Sequence, residues 1–409
     1  MSLKSKDKQV KTLIPNSYLK YNDLNVDIYY LNNNVHSCYF EYNFGYVNKN
    51  ISPVTNSNFA CLSFLCCQLL VDYLNKEYFN NIVSYELLES KFILNFENNN
   101  SNDFIKNFNF LFKGLFEFDL SKVNIKNSIN KVMIKINTLI NENYISYFYS
   151  KLYNNDKIPL FNNSIKDEFY YIKEEEIKSF FSKYIYKNYN CLYIFSSINS
   201  NQINEVLEKY HFVNENNQST YGKHLDNQSL SNADDIKLNS LLKNENIFLS
   251  IKLHNFEDYV LKYGDNIYPI LLIYEYLSIK NYINCINKVK KDFVNSFSNN
   301  KLIYCYDKLF YTGTVLVKQG DINLEQINKL YIKNRTTKNE FIDYKNYLLN
   351  LFETKCNSPV FIVKVLLNVK NSINYNTLYN LIMDLDYETY KSYLDYNKDN
   401  KIYSFKKEN

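Results

Sequence analysis

The order of secondary structure in this chain begins twice. Apolar periodicity runs to about Tyr210, breaks over Asn214–Asp235, and then resumes with a similar alternation of strands and helices. The break is polar, rich in Asn, Gln, Ser and Asp, and carries Gly222, so it reads as an interdomain linker. A chain of 409 residues has room for two domains of ordinary size. The expected fold class is α+β: two tandem related domains, each an antiparallel-rich mixed sheet packed against helices. Their expected spans are residues 1–213 and 236–409, with 214–235 between them.

The local patterns support that frame. The segment Val26–Asn43 reads as two strands, since VDIYYL and CYFEYNF are rich in β-branched and aromatic residues. Ser90–Glu97 and Cys191–Ser196 read as further strands. Asn58–Asn75 is the strongest helix candidate, with Phe59, Leu62, Cys66, Leu69 and Tyr73 on one face and Asn58 as N-cap. Helices are also expected over Asp103–Phe118, Asn124–Tyr153, Glu174–Lys187 and Asn201–Tyr210. In the second half, Ile247–His254 reads as a strand. Asp265–Lys280 reads as a helix, followed by a second helical stretch to about Asn295. Strands are expected from Lys301 and Gly313, then helices over Leu324–Leu330 and Lys338–Thr354, the latter opened by a capping box at Thr337–Glu340. Helical segments near Val360–Asn368 and Asn376–Leu394 close the chain.

Composition removes several function classes. Net charge is +4, from 47 basic and 43 acidic residues, which leaves no electrostatic footprint for nucleic acid. Only 6 Gly and 5 Pro exclude collagen-like and Pro-rich chains. Asn, Lys, Ile and Tyr abound and Arg335 is the one Arg, a bias that reflects AT-rich coding DNA and weakens arguments from any single Asn or Lys. The first residues, MSLKSKDKQVKTLIP, lack an apolar h-region and an Arg-rich amphipathic character, so no secretory or transit leader is expected. No apolar run approaches the roughly 18–20 residues of a membrane span. Eight scattered Cys in a chain of this size then point to reduced, mostly buried thiols and a cytoplasmic setting.

Chemistry-bearing motifs are sparse. The four His, at 36, 211, 224 and 254, show no helical pair spacing, and neither H-E-x-x-H nor H-x-x-E-H occurs. Cys61, Cys66 and Cys67 on a helix point about 100–140° apart and do not close a tetrahedral site. No G-x-S-x-G, P-loop or G-x-G-x-x-G is present. The acidic run Glu174–Glu176 is explained by a helix start, where the dipole favours negative charge. Tyr and Lys alternate over Tyr184–Tyr189, a pattern that can bind single strands but that this composition produces everywhere.

The element order and several strings resemble the M16 (insulinase-like, pitrilysin) metallopeptidases of the short processing-peptidase type. Members of that family pair two αβ domains of M16/LuxS-like fold. Their first domain carries a helix with a G-x-A-H-F-L-E-H-type sequence after two strands. Here the same place holds Leu62-Ser63-Phe64-Leu65-Cys66-Cys67-Gln68-Leu69-Leu70. Ser63 and Cys67 stand where the two zinc His would be, and Cys66 where the general-base Glu would be. The third zinc ligand of the family, a Glu on a later helix, corresponds to Lys135 within Val132–Ile136. A Lys ammonium is a donor only and repels Zn²⁺. Tyr171–Phe181 and Lys187–Asn199, after Ile158-Pro159, resemble the end of the family's first domain most closely. Leu302-Ile303-Tyr304 resembles the end of a substrate-holding R-E-x-x-G-L-x-Y string, with Phe297 in the Arg position; Tyr304 is the weak substrate-binding candidate.

No catalytic residue and no metal ligand carries over from the resemblance. It therefore implies a non-catalytic subunit of a two-chain zinc peptidase. Zinc is expected only in a partner subunit carrying H-x-x-E-H, and the substrate would be an extended peptide added as an edge strand. A structural scaffold like the core proteins of the respiratory bc1 complex is the alternative, and would place the chain in mitochondria. An active enzyme with an unrecognised site is a third reading.

Overall fold

The computed structural model describes residues 10–32, 34–46, 56–79, 82–88, 90–142, 165–212, 246–289, 294–305, 308–317, 329–331, 336–367, 369–370, 372–398 and 402–406. The linker expected at 214–235, Ile158-Pro159 and most of the helix expected at Leu324–Leu330 lie outside these residues.

The first half is organised by a six-stranded sheet. Its strands are β1 (Asn16–Tyr21), β2 (Leu24–Tyr29), β3 (His36–Tyr42), β4 (Ser84–Leu87), β5 (Phe92–Asn98) and β6 (Tyr189–Phe195), in the order β1-β2-β6-β3-β5-β4. β2 and β6 pair in parallel and the other neighbours are antiparallel. The β1–β2 hairpin turns at Asn22, whose φ of 50° is a left-handed conformation that Asn accepts more readily than most residues.

Alternation along the strands assigns two faces. Val26, Ile28, Cys38, Phe40, Leu192 and Ile194 point into a core shared with the helices of the same half. These are α1 (Asn56–Leu74), α2 (Ser101–Phe116), α3 (Ile125–Glu142), α4 (Ile165–Tyr171), α5 (Glu174–Phe180) and α6 (Ser200–Leu207). α1 continues as a π-helical turn over Asn75–Phe79, and α5 does so over Phe181–Ile185. α2 crosses α1 closely at Gly114, where a Cβ would collide with Leu74 and Tyr78.

The opposite face, with Tyr29, Tyr39, Ile93, Cys191, Tyr193 and Phe195, belongs to a second core made with helices of the other half. That half contains β7 (Asn246–Asn255), α7 (Phe256–Tyr263), α8 (Ile267–Val289), β8 (Val294–Cys305), β9 (Lys308–Val317), α9 (Lys338–Lys355), α10 (Pro359–Leu366), α11 (Tyr375–Asp384), α12 (Tyr387–Tyr396) and β10 (Ile402–Lys406). Its strands form an antiparallel sheet in the order β10-β7-β9-β8. Hydrogen bonds between side chains and backbone fasten the halves together. The Asn376 side chain accepts from the amides of Leu13 (2.9 Å) and Ile14 (3.3 Å) and donates to the Ile14 carbonyl (2.7 Å). The Tyr375 amide donates to the Tyr29 hydroxyl at 3.3 Å.

The α+β architecture is as expected, and some local details differ. α1 starts at Asn56, and Asn58 donates to Glu176 Oε1 at 3.0 Å instead of capping. α8 runs unbroken to Val289 and β8 begins at Val294, where a helix was expected to about Asn295. Asn376–Leu394 is split in two because Asp386 caps a fresh helix, accepting from the Thr389 amide at 2.7 Å. The capping box at Thr337 and Glu340 and the helix start at Glu174–Glu176 are present as read.

Burial of both sheet faces forces polar groups inward. Glu41 on β3 is fully buried and is matched by an ion pair to Lys91 and by donors from Asn190 (2.8 Å) and Tyr193 (3.0 Å). Asp27 on β2 is 3% exposed, on the face covered by the second half, and burial pushes its carboxyl up to about 7. The native state then keeps the proton that the unfolded chain releases near 3.8. This preference is fully present below that value and is lost as pH rises through about 7, with stability falling by up to about 1.4 kcal/mol per pH unit in between. Asp27→Asn should remove the slope, so urea denaturation at pH 5 and pH 7.5 should show the variant gaining on the parent as pH rises. An unchanged difference between the two pH values would contradict the assignment.

Candidate functional site

The helix that carries Ser63, Cys66 and Cys67 is buried on almost every side. From Phe59 to Leu74 only Leu62 and Asp72 are part-exposed, so the one-faced amphipathic helix expected from the sequence is instead enclosed all round. The reason is its position between the sheet below and α2, α3, α4 and α5 around it. Its length and apolarity would suffice to span a membrane over Asn58–Phe79, contrary to the expectation from apolar runs alone, but 78% of that window is packed inside the fold.

Each motif position is accounted for within the core. Ser63 is fully buried and donates to the Phe59 carbonyl one turn back at 2.8 Å. Cys66 and Cys67 are fully buried, and loss of hydration raises both thiols well above their ordinary value. Cys61 is likewise raised by burial, then by Glu168, whose carboxylate accepts from its Sγ at 3.7 Å. The seven cysteines whose side chains are described are free thiols, and all but Cys356 are buried.

α3 brings Lys135 to this place. Val132 and Ile136 are buried against α1, which leaves Lys131 and Lys135, one turn apart, at the margin of the contact. Lys135 is an exposed residue whose ammonium folds back over the Tyr85 ring, 3.4 Å from its centroid. Partial burial is the main cause that lowers the ammonium to about 8, while the nearby Cys67 and Asp72 act the other way. Tyr85 lies on β4, the edge strand, and donates to Gln68 Oε1 at 3.1 Å. Gln68 donates to Asp72 at 2.9 Å, and Asp72 also accepts from Ser128 (2.6 Å) and Lys131 (2.6 Å). A polar cluster from α1, α3 and β4 thus surrounds the Lys135 position.

This donor set does not fit zinc. A metal site needs deprotonated ligands converging on one point. Here two thiols are held neutral by burial, the serine hydroxyl is turned to its own helix, and the fourth position is a cation. Among the described residues no three His, Cys, Asp or Glu side chains converge.

The structure brings Ser63, Cys66 and Cys67 onto one helix stretch with Lys135 facing Cys67. Tyr304 lies elsewhere, on β8 paired with Leu309 of β9, and Phe297 pairs with Val315; the side chains of both lie outside the described residues. Tyr85, Gln68, Asp72, Ser128 and Lys131 were not singled out from the sequence. The one available signal was the polar pair Gln68 and Asp72, four residues apart in an otherwise apolar helix.

No family model matches the chain. A sequence match reaches DNA-directed RNA polymerase subunit beta'' of Plasmodium falciparum, 25% identical over 233 residues. It covers 52% of this chain and only 24% of that protein, and carries no functional argument. Solved structures are informative at the level of fold. An M16-like peptidase from Alicyclobacillus acidocaldarius superposes with a TM-score of 0.67 at 9% identity, over 97% of this chain and 99% of that one. The peptidase M16 inactive domain from Pseudomonas fluorescens gives 0.65 at 10%, over 96% and 97%. A chain of complex III from Candida albicans gives 0.66 at 8%, over 96% and 95%. The chain has the M16 peptidase fold.

Two measurements check the sealed motif. Native alkylation should spare Cys61, Cys66 and Cys67 and label the half-buried Cys356, with all four labelled after denaturation. Cys66→Glu should destabilise the chain by about 3 kcal/mol or more, because it puts an unpaired carboxylate into the core. Rapid native labelling of Cys66, or a neutral effect of that substitution in urea denaturation, would contradict the enclosed site.

Proposed function

We propose that this M16-fold chain is a non-catalytic subunit of a two-chain zinc peptidase, helping to bind an extended peptide and to close the chamber in which a partner cuts it. The observation that carries this reading is the filled motif position: Ser63, Cys66 and Cys67 are sealed in the core, and the Lys135 ammonium lies over the Tyr85 ring with Cys67 nearby. That arrangement offers no converging set of metal ligands among the described residues, and on this reading the zinc and its H-x-x-E-H helix belong to the partner, where zinc would supply a nucleophile at neutral pH. The likeness to an inactive M16 domain supports the same division of labour.

This chain's part is positioning. β4 is an edge strand of a sheet that is rigid because both its faces are covered. An extended peptide laid against such an edge gains main-chain hydrogen bonds with little demand on its sequence. Held there and enclosed by the partner, it meets the reactive centre with much of its freedom already removed, an effect that can lower a barrier by several kcal/mol.

A scaffold role is the second reading, and the complex III chain of the same fold and length is what favours it. It would place this chain in mitochondria, inside a larger assembly, and would need no peptide at β4.

Two experiments separate these outcomes. The purified chain should retain no stoichiometric zinc, and one tightly held zinc per chain that is lost on replacing Cys66 and Cys67 would overturn the non-catalytic assignment. The chain should cleave nothing alone, yet raise the rate at which an H-x-x-E-H subunit cleaves an unstructured peptide and co-elute with it on a sizing column. A partner rate that is flat across the titration, with no complex, would shift the reading to the scaffold.

A further inference from the structure

The polar cluster beside β4 has an uneven charge. Its single carboxylate, Asp72, is engaged by Lys131, Ser128 and Gln68. Lys135 rests on the Tyr85 ring, and no carboxylate pairs with it among the described residues. The described side chains of α3 supply Lys126, Lys131 and Lys135 and no acid. On β4, Glu86 alternates with Tyr85 and so points to the other side of the sheet. The margin between α3 and the edge strand is therefore positive.

Among the described residues, β4 is the last strand of its sheet. β4 pairs with β5 on one side, Tyr85 opposite Leu94 and Glu86 opposite Ile93. On its other side no strand lies among the described residues. A strand added there would sit about 4.8 Å away. Every second side chain would then fall on the face of Tyr85 and Lys135, where cross-strand neighbours lie about 5 Å apart. That distance suits a Glu or Asp carboxylate reaching the ammonium while its backbone pairs with β4.

We propose that the β4 edge selects acidic peptides, with Lys135 as the specificity-determining residue that receives a Glu or Asp side chain of the bound strand. The inference rests on the peptide-binding reading above and adds the class of peptide. Tyr85 is the platform: it holds the ammonium by cation–π attraction and is itself fixed through Gln68. Releasing the ammonium to a carboxylate breaks no existing ion pair among the described residues. A basic residue at the same peptide position would meet Lys131 and Lys135 and be rejected by like charge.

The test uses the full chain and three fluorescein-labelled unstructured peptides that differ only at one central residue: Glu, Gln or Lys. Anisotropy titrations at low salt should give the order Glu, then Gln, then Lys, with steps of about fivefold, the range of a partly exposed ion pair. Lys135→Gln should erase the difference between the Glu and Gln peptides. Lys135→Glu should reverse the order, so that the Lys peptide binds best. Thermal melts and sizing of both variants check that each remains folded, and Lys135→Gln keeps the test free of a new charge beside Asp72. Equal binding of all three peptides by the parent chain would overturn the selectivity and leave peptide binding standing. Binding of none, by the parent chain alone or with a catalytic partner, would overturn both. An order that survives both substitutions would move the selectivity away from Lys135.

Discussion

The enclosure of α1 is the constraint on which the rest of the structure depends. A helix covered on every side must be apolar on every side, because an unpaired charge in that position would cost several kcal/mol. That single requirement explains why Ser63, Cys66 and Cys67 are small and neutral, and why their thiols and hydroxyl are satisfied or silent within the core. Only Gln68 and Asp72 break the pattern, on the side where α3 and β4 can supply partners. The polar side chains of α1 with partners from other elements lie in its last turns, at the margin with α3 and β4.

The same logic governs the sheet. Much of its second face is covered by helices from the other half of the chain, so the two halves share a core. Glu41 survives there only because Lys91, Asn190 and Tyr193 surround it. Such a pair adds little net stability compared with apolar packing, but breaking it would leave a buried charge. The central strands are covered on both faces, and β4 is the edge next to the polar cluster.

Much of this was readable in the sequence, and the failures have physical causes. β2, β3, β5 and β6 are strongly apolar, and they emerged from pattern alone. β4 did not, since SYEL is four residues long and carries one buried side chain. β1 and β10 are likewise short strands at sheet edges, polar enough to read as loops. α8 and β8 were misjoined because the chain between Lys280 and Asn295 has helical composition on both sides of the true boundary. The Lys135 position came from the resemblance, and the structure sets it beside Cys67. Its platform, Tyr85, was invisible: one Tyr among 41, on a strand that pattern could not find.

A cation at the Lys135 position differs in kind from a metal. A zinc ion is an acceptor of electron pairs that can activate water, whereas an ammonium on a four-carbon stem offers hydrogen bonds and charge. In its charged form it orients a ligand by hydrogen bonds and charge. The stem also lets the charge move by several ångströms, so recognition at this point tolerates variation in the bound strand that a metal geometry would not. On the proposed reading, a chain of this fold with a lysine at that position contributes to holding an extended peptide, and the cutting chemistry comes from another polypeptide.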